Sequence, residues 1–121
     1  MATFSKWKRR IPKWEGNELD PEPFAVEVKR LTIDERATFR ERLAAIRDAV
    51  GPPPETPGTV LASYVRGPFG AVVFEDGPFV GGIAELVDGM QRTDAVAYHA
   101  LVGEFVRLIG DVNAIGGSAG E

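Results

Sequence analysis

The sequence predicts a mainly α-helical domain with a small β element, on the strength of two amphipathic stripes and one hairpin signal. Phe39, Leu43, Ile46 and Val50 recur at intervals of four, three and four. Tyr98, Leu101, Val102, Phe105, Leu108, Ile109 and Val112 repeat at i, i+3, i+4 and i+7. Residues so spaced share one face of a 3.6-residue helix and must be covered. Asp76-Gly77, set between Ala71-Val72-Val73-Phe74-Glu75 and Pro78-Phe79-Val80, predicts a tight β-turn.

The elements follow in order. Residues 1–23 read as an extended basic and aromatic arm, because Pro12, Pro21 and Pro23 each remove an amide donor and restrict the preceding residue. The arm holds both tryptophans, Trp7 and Trp14, whose indoles call for a surface to dock on. A single helical domain with a small β-hairpin is expected over residues 24–115. It opens with apolar–polar alternation from Phe24 to Val28, the period of a half-buried strand. Thr32 and Glu35 form a capping box, with Asp34 also favouring the helix N-terminus. Gly51 and Pro52-Pro53-Pro54 end that helix. Residues 51–58 read as an exposed extended linker, and residues 59–64 suit a strand or a turn of helix equally, with Gly67-Pro68 breaking either.

After the hairpin, whose return strand Pro78 confines to an edge, Gly81-Gly82 lead into a short helix over residues 83–90. Thr93 is expected to cap the long C-terminal helix, with Asp94 at its positive end. Gly103 and Gly110 each weaken this helix by up to about 1 kcal/mol relative to alanine, so tertiary packing must hold it. Residues 116–121, Gly-Gly-Ser-Ala-Gly-Glu, read as a flexible tail.

Composition narrows the function. The chain has 121 residues, a formal net charge of −4, no cysteine and one histidine. Disulfides, thiolate nucleophiles and cysteine-bound metals are excluded, and His99 alone makes neither a two-histidine metal site nor a relay. Glu15, Glu18, Asp20 and Glu22 lie in the arm, Asp34 and Glu35 serve the cap, and Glu75 and Asp76 sit at the hairpin tip, so no acid/base pair is evident. Gly67-Pro68-Phe69-Gly70 and Gly81-Gly82 lack the frame of a phosphate loop. The expectation is a protein with no catalytic, cofactor-binding or metal-binding residues. No apolar run approaches the about 18 residues of a membrane span, and the basic N-terminus lacks the apolar segment of a signal peptide, so a soluble cytoplasmic protein is expected.

The remaining candidates are protein contacts. Lys6, Lys8, Arg9, Arg10 and Lys13 precede an acidic body, and neither helix junction shows a basic recognition helix, which disfavours nucleic acid. Trp7 and Trp14 in the arm and Leu101, Phe105, Leu108 and Val112 on the last helix are the candidate partner-binding residues. The last stripe is broader than one core contact needs, so part of it is expected to meet a partner helix or to self-associate.

The order of elements resembles that of the tail assembly chaperones of long-tailed bacteriophages and related prophages. The resemblance lies in the basic, tryptophan-bearing opening and the line Val28-Lys29-Arg30-Leu31-Thr32-Ile33-Asp34-Glu35-Arg36. It continues through Val73-Phe74-Glu75-Asp76-Gly77-Pro78-Phe79, Ile83-Ala84-Glu85-Leu86-Val87, and the amphipathic residues 101–112 with Asn113 after them. It spans about residues 5–115; the Pro-rich stretch at 51–58 departs from the family's pattern. It implies a non-catalytic cytoplasmic assembly factor that binds the tape-measure protein, recruits tail-tube protein and leaves the finished particle. Two alternatives stand beside it: a head–tail or tail adaptor that stays in the particle, and a small nucleic-acid-binding regulator using the basic arm.

Overall fold

The alternating segment after Phe24 becomes the middle strand of an antiparallel sheet. The computed structural model describes residues 4–114. Strand β2 (Ala25–Lys29) lies between β1 (Trp7–Arg10) and β3 (Val65–Phe69), with Trp7 opposite Lys29 and Val28 opposite Val65. Ala25, Val26 and Val28 are all fully buried, so β2 is more deeply covered than a half-buried strand. Gly67-Pro68 does not end β3 but lies within it, which an edge strand tolerates because it has a side with no ladder to complete. The helices are α1 (Ile33–Arg47), α2 (Pro57–Ala62), α3 (Ile83–Thr93) and α4 (Ala95–Asn113), and a two-stranded hairpin pairs β4 (Val73–Phe74) with β5 (Gly77–Pro78). Four helices beside a small antiparallel sheet agree with the predicted class. Among the described residues no helix is long and apolar enough to cross a membrane.

The cap of α1 forms as its sequence dictates. Thr32 Oγ1 accepts the Glu35 amide at 3.1 Å, and Glu35 Oε1 accepts the Thr32 amide at 3.0 Å. The other Glu35 oxygen pairs with Lys29 on β2, tying helix to sheet. The far end differs from expectation. α1 stops at Arg47 and Val50 stands fully exposed beyond it, because the chain must reach Gly51 at φ +92° and then the prolines. The stripe is therefore shorter, with Phe39 buried and Leu43 and Ile46 half-buried.

The expected linker at 51–58 is only partly a linker. Arg42 grips Glu55 with two hydrogen bonds, at 2.8 and 2.6 Å, and reaches the Tyr64 hydroxyl at 3.2 Å. Thr56 caps α2, Pro57 opens it, and Val60 and Leu61 are fully buried, so residues 59–64 resolve towards helix. Gly58 is buried where α2 meets α3: a Cβ there would lie 2.5 Å from the Ala84 carbonyl oxygen. The Asp88 carboxylate accepts from the Gly58 amide at 3.0 Å and from the Thr56 hydroxyl at 2.7 Å, fixing the crossing.

The arm requires the largest correction. From Phe4 onward residues 1–23 are not an extended appendage but part of the fold, because β1 completes the sheet and the following turn is anchored to α4. Pro12 and Trp14 are buried, and the Trp14 indole donates to the Ala97 carbonyl at 3.0 Å. Asn17 stitches the turn shut, donating to the carbonyls of Pro12 and Phe24 and accepting the Phe24 amide, each at 3.0 Å.

α3 runs to Thr93, beyond the expected residue 90. Thr93 does not cap the last helix: its hydroxyl donates back to the Gly89 carbonyl at 3.0 Å, and Asp94 is the cap, accepting the Ala97 amide at 3.0 Å. A carboxylate one residue nearer the helix has the better reach to that amide. In α4, Leu101, Phe105 and Ile109 are fully inaccessible and Leu108 nearly so. The sheet, α2 and α3 cover this stripe from several sides, so it is core and not spare surface. The tail expected over residues 116–121 lies outside the described residues.

Two polar groups on α4 join the core. Asn113 Oδ1 accepts the Leu31 amide at 2.6 Å, and its Nδ2 donates to the Lys29 and Ile109 carbonyls, each at 2.9 Å. Glu104 accepts the Lys13 amide at 2.7 Å and a two-pronged contact from Arg107 at 2.8 Å. Burial pushes the Glu104 carboxyl up, but Arg107 and the amide outweigh it and hold the group below its usual range.

Asn113→Ala leaves the Leu31 amide buried without its acceptor and is expected to cost about 2–3 kcal/mol in denaturant unfolding. Acid unfolding should report Glu35, whose pKa is lowered to about 2 from 4.5 by its hydrogen bonds from Lys29 and the Thr32 amide. A depressed carboxylate stabilises the fold above its unfolded pKa, and that contribution fades as pH falls from 4.5 towards 2. The acid limb of Glu35→Gln should be shallower across that window.

Candidate partner-binding groove

The hairpin folds over α3 and the start of α4, and the space beneath it is the candidate site. Its two-residue turn is Glu75-Asp76, one residue earlier than the predicted Asp76-Gly77, since Phe74 pairs with Gly77 and Val73 with Pro78. Among the described non-glycine residues only Glu15 and Ala114 have positive φ, so Asp76 does not supply the left-handed geometry of an Asp-Gly turn. The Phe79 amide donates to the Val72 carbonyl at 2.7 Å, extending the hairpin by one further link.

Such a short hairpin is held by what it packs on. Val72 is buried, and Phe74 and Phe79 are half-buried with rings edge-to-face at 6.1 Å and 81°. They face Leu86 and Met90, one helical turn apart on α3, and Trp14 with Ala97 closes the groove from the other side. The cavity measures about 810 Å³, within the range of about 300–1,000 Å³ typical of ligand clefts. Gly89 leaves the α3 wall low, with open space where a Cβ would stand.

The charged residues of the lining are all acidic, and Thr93 is its one uncharged polar side chain among the described residues. Glu15, Glu75, Asp76, Glu85 and Asp94 line the groove, and among the described residues no lysine, arginine or histidine does. Two of these carboxylates already serve the backbone, Glu85 accepting the Gly82 amide at 3.3 Å and Asp94 the Ala97 amide. Glu15, Glu75 and Asp76 are exposed and point their charge to solvent. The groove therefore offers apolar contact below and hydrogen-bond acceptors above.

Of the residues predicted to bind a partner, the structure brings only Trp14 to this groove, as a largely buried wall. Trp7 lies on β1, half-buried, with the Arg66 guanidinium 4.2 Å from its ring centroid. Leu101, Phe105 and Leu108 are core residues with no face left for a partner, and Val112 is half-buried against the same core. Phe74, Phe79, Leu86 and Met90 were not singled out as site residues by sequence. Leu86 and Met90 were legible as a helical pair, but their roofing by the hairpin is a long-range placement. His99 is exposed beside the Tyr98 ring, and among the described residues no group of three or more His, Asp or Glu side chains could hold a metal ion.

No protein-family model matches this chain, and neither a curated protein nor a solved structure does.

The glycine on the groove wall yields a stability test. Gly89→Ala adds a methyl in open space within a helix and is expected to stabilise the fold by about 0.5–1 kcal/mol in thermal or denaturant unfolding.

Proposed function

We propose that this protein is a non-catalytic assembly factor of the bacteriophage host's cytoplasm, a tail assembly chaperone of a long-tailed phage or prophage. It holds an apolar segment of the tape-measure protein and delivers it to tail-tube subunits. The observation that carries the protein-binding part is the apolar groove beneath the 72–79 hairpin, whose lining offers contact and acceptors but no histidine, serine or lysine. Such a lining suits the capture of an apolar segment. The more specific assignment draws on the resemblance of residues 28–36, 73–79 and 83–87 to that family.

The surface supporting this reading differs from the one the sequence suggested. With Leu101, Phe105 and Leu108 in the core, the last helix holds up the fold and the hairpin groove takes the partner. A second reading, a nucleic-acid-binding regulator, is favoured by one observation. Lys8, Arg9 and Arg10 lie on the edge strand β1, and among the described residues none of them joins an ion pair. Charged side chains on a sheet edge also deter unwanted strand pairing, which accounts for them without a ligand.

Co-expression tests the chaperone. The tape-measure protein of the same phage or prophage is expected to be insoluble when this chain is omitted and soluble when it is present. A tape-measure protein that stays soluble alone, together with stoichiometric recovery of this chain from purified particles, would replace the chaperone by a structural tail component.

A further inference from the structure

We infer that the groove beneath the hairpin selects a cationic amphipathic segment of another protein, with apolar side chains seated on the floor and lysine or arginine meeting the rim. This occupancy rests on the groove being the docking surface of the proposed chaperone, and it adds the chemistry of the partner.

The floor sets the first requirement. Phe74, Phe79 and Met90 are half-buried above the buried Leu86 and present ring and thioether surface that is covered profitably only by apolar side chains, and a methionine beside aromatics adapts its shape to different anchors. The volume of about 810 Å³ accommodates a few side chains from one face of a peptide or helix.

The rim sets the second. Five carboxylates border the groove with no cation among the described lining residues; Glu85 and Asp94 already accept backbone amides, and at Glu15, Glu75 and Asp76 an acidic segment would meet repulsion where a cationic one finds a partner. Lysine and arginine at the margins of an apolar helix face would meet Glu15, Glu75 and Asp76, and their charge would also steer the encounter.

A second copy of this chain fits less well. Its net charge is −4, and its densest run of basic residues is Lys8, Arg9 and Arg10 on β1. That strand is hydrogen-bonded to β2 and cannot present apolar residues at helical spacing.

The test uses the full chain and a fluorescent peptide of about three helical turns. One peptide carries leucine and phenylalanine on one face with lysine and arginine flanks, and a second replaces those flanks with glutamate. Anisotropy titrations should show binding of the cationic peptide that weakens as salt is raised, and about tenfold or more weaker binding of the acidic one. The exposed double substitution Glu75→Gln/Asp76→Asn should weaken the cationic peptide about three- to tenfold. Gly89→Leu, which fills the groove from a helical position with open space, should abolish binding while the protein keeps its circular dichroism spectrum. Equal binding of both peptides would overturn the charge selection yet leave the groove as the docking surface. Binding undiminished by Gly89→Leu, or a dimer that this substitution dissolves, would overturn the occupant altogether. A tape-measure protein soluble without this chain would remove the chaperone reading and leave the peptide results standing.

Discussion

Three donors in the N-terminal part of the chain find their acceptors on α4, Asn113 answers with a bond back to the Lys29 carbonyl, and the structure depends on them. The Trp14 indole donates to Ala97, the Lys13 amide to Glu104 and the Leu31 amide to Asn113, across 83, 91 and 82 residues of sequence. The Trp14 and Leu31 donors are buried and would otherwise lack a partner, at a cost of about 1–3 kcal/mol apiece, while the Lys13 amide adds to the contact that Arg107 makes with the buried Glu104. The three acceptors are spaced along α4 from its first turn to its last residue, so the helix acts as a rail on which the sheet is hung. Closing loops of such length is entropically unfavourable, and only the apolar burial around Phe105, Leu101 and Ile109 offsets it.

The rail also accounts for the groove. Because Trp14 is fixed to Ala97 and Asp94 caps α4 immediately after α3 ends, the start of α4, the end of α3 and the N-terminal turn meet at one place. The hairpin has few ladder bonds of its own and leans on that corner through Val72, Phe74 and Phe79. Gly81, at φ +146°, lets the chain turn from the hairpin into α3, and a Cβ there would lie 3.0 Å from the Phe79 ring. An apolar roof over a helix with a glycine in its wall leaves space that no side chain of the groove fills.

Charge is segregated in the same geometry. The basic residues of β1 occupy one edge of the sheet, whereas carboxylates from the N-terminal turn, the hairpin tip and the helix starts converge on the groove. Glu85 and Asp94 are present for helix capping, but the turn residues Glu75 and Asp76 form no side-chain hydrogen bond or ion pair among the described residues. Their joint effect is a negative field around an apolar slot, the arrangement that favours a cationic partner.

The sequence by itself determined the local elements. The Thr32–Glu35 cap, the β2 alternation, the apolar period of α4 and the presence of a hairpin near Asp76 all depend on neighbours within one or two turns. Sequence also showed that Trp14 needed a surface, though not which one. Tertiary structure alone decided that the N-terminal segment holds a strand and is not an arm, because the β1–β2 ladder needs partners as distant as Lys29 from Trp7. It decided that Leu101, Phe105 and Leu108 are core, since a stripe's periodicity states that it must be covered and leaves open how many elements cover it. The groove was illegible for the same reason: it is the gap between a hairpin, two helix ends and Trp14, and a gap has no residues of its own to read.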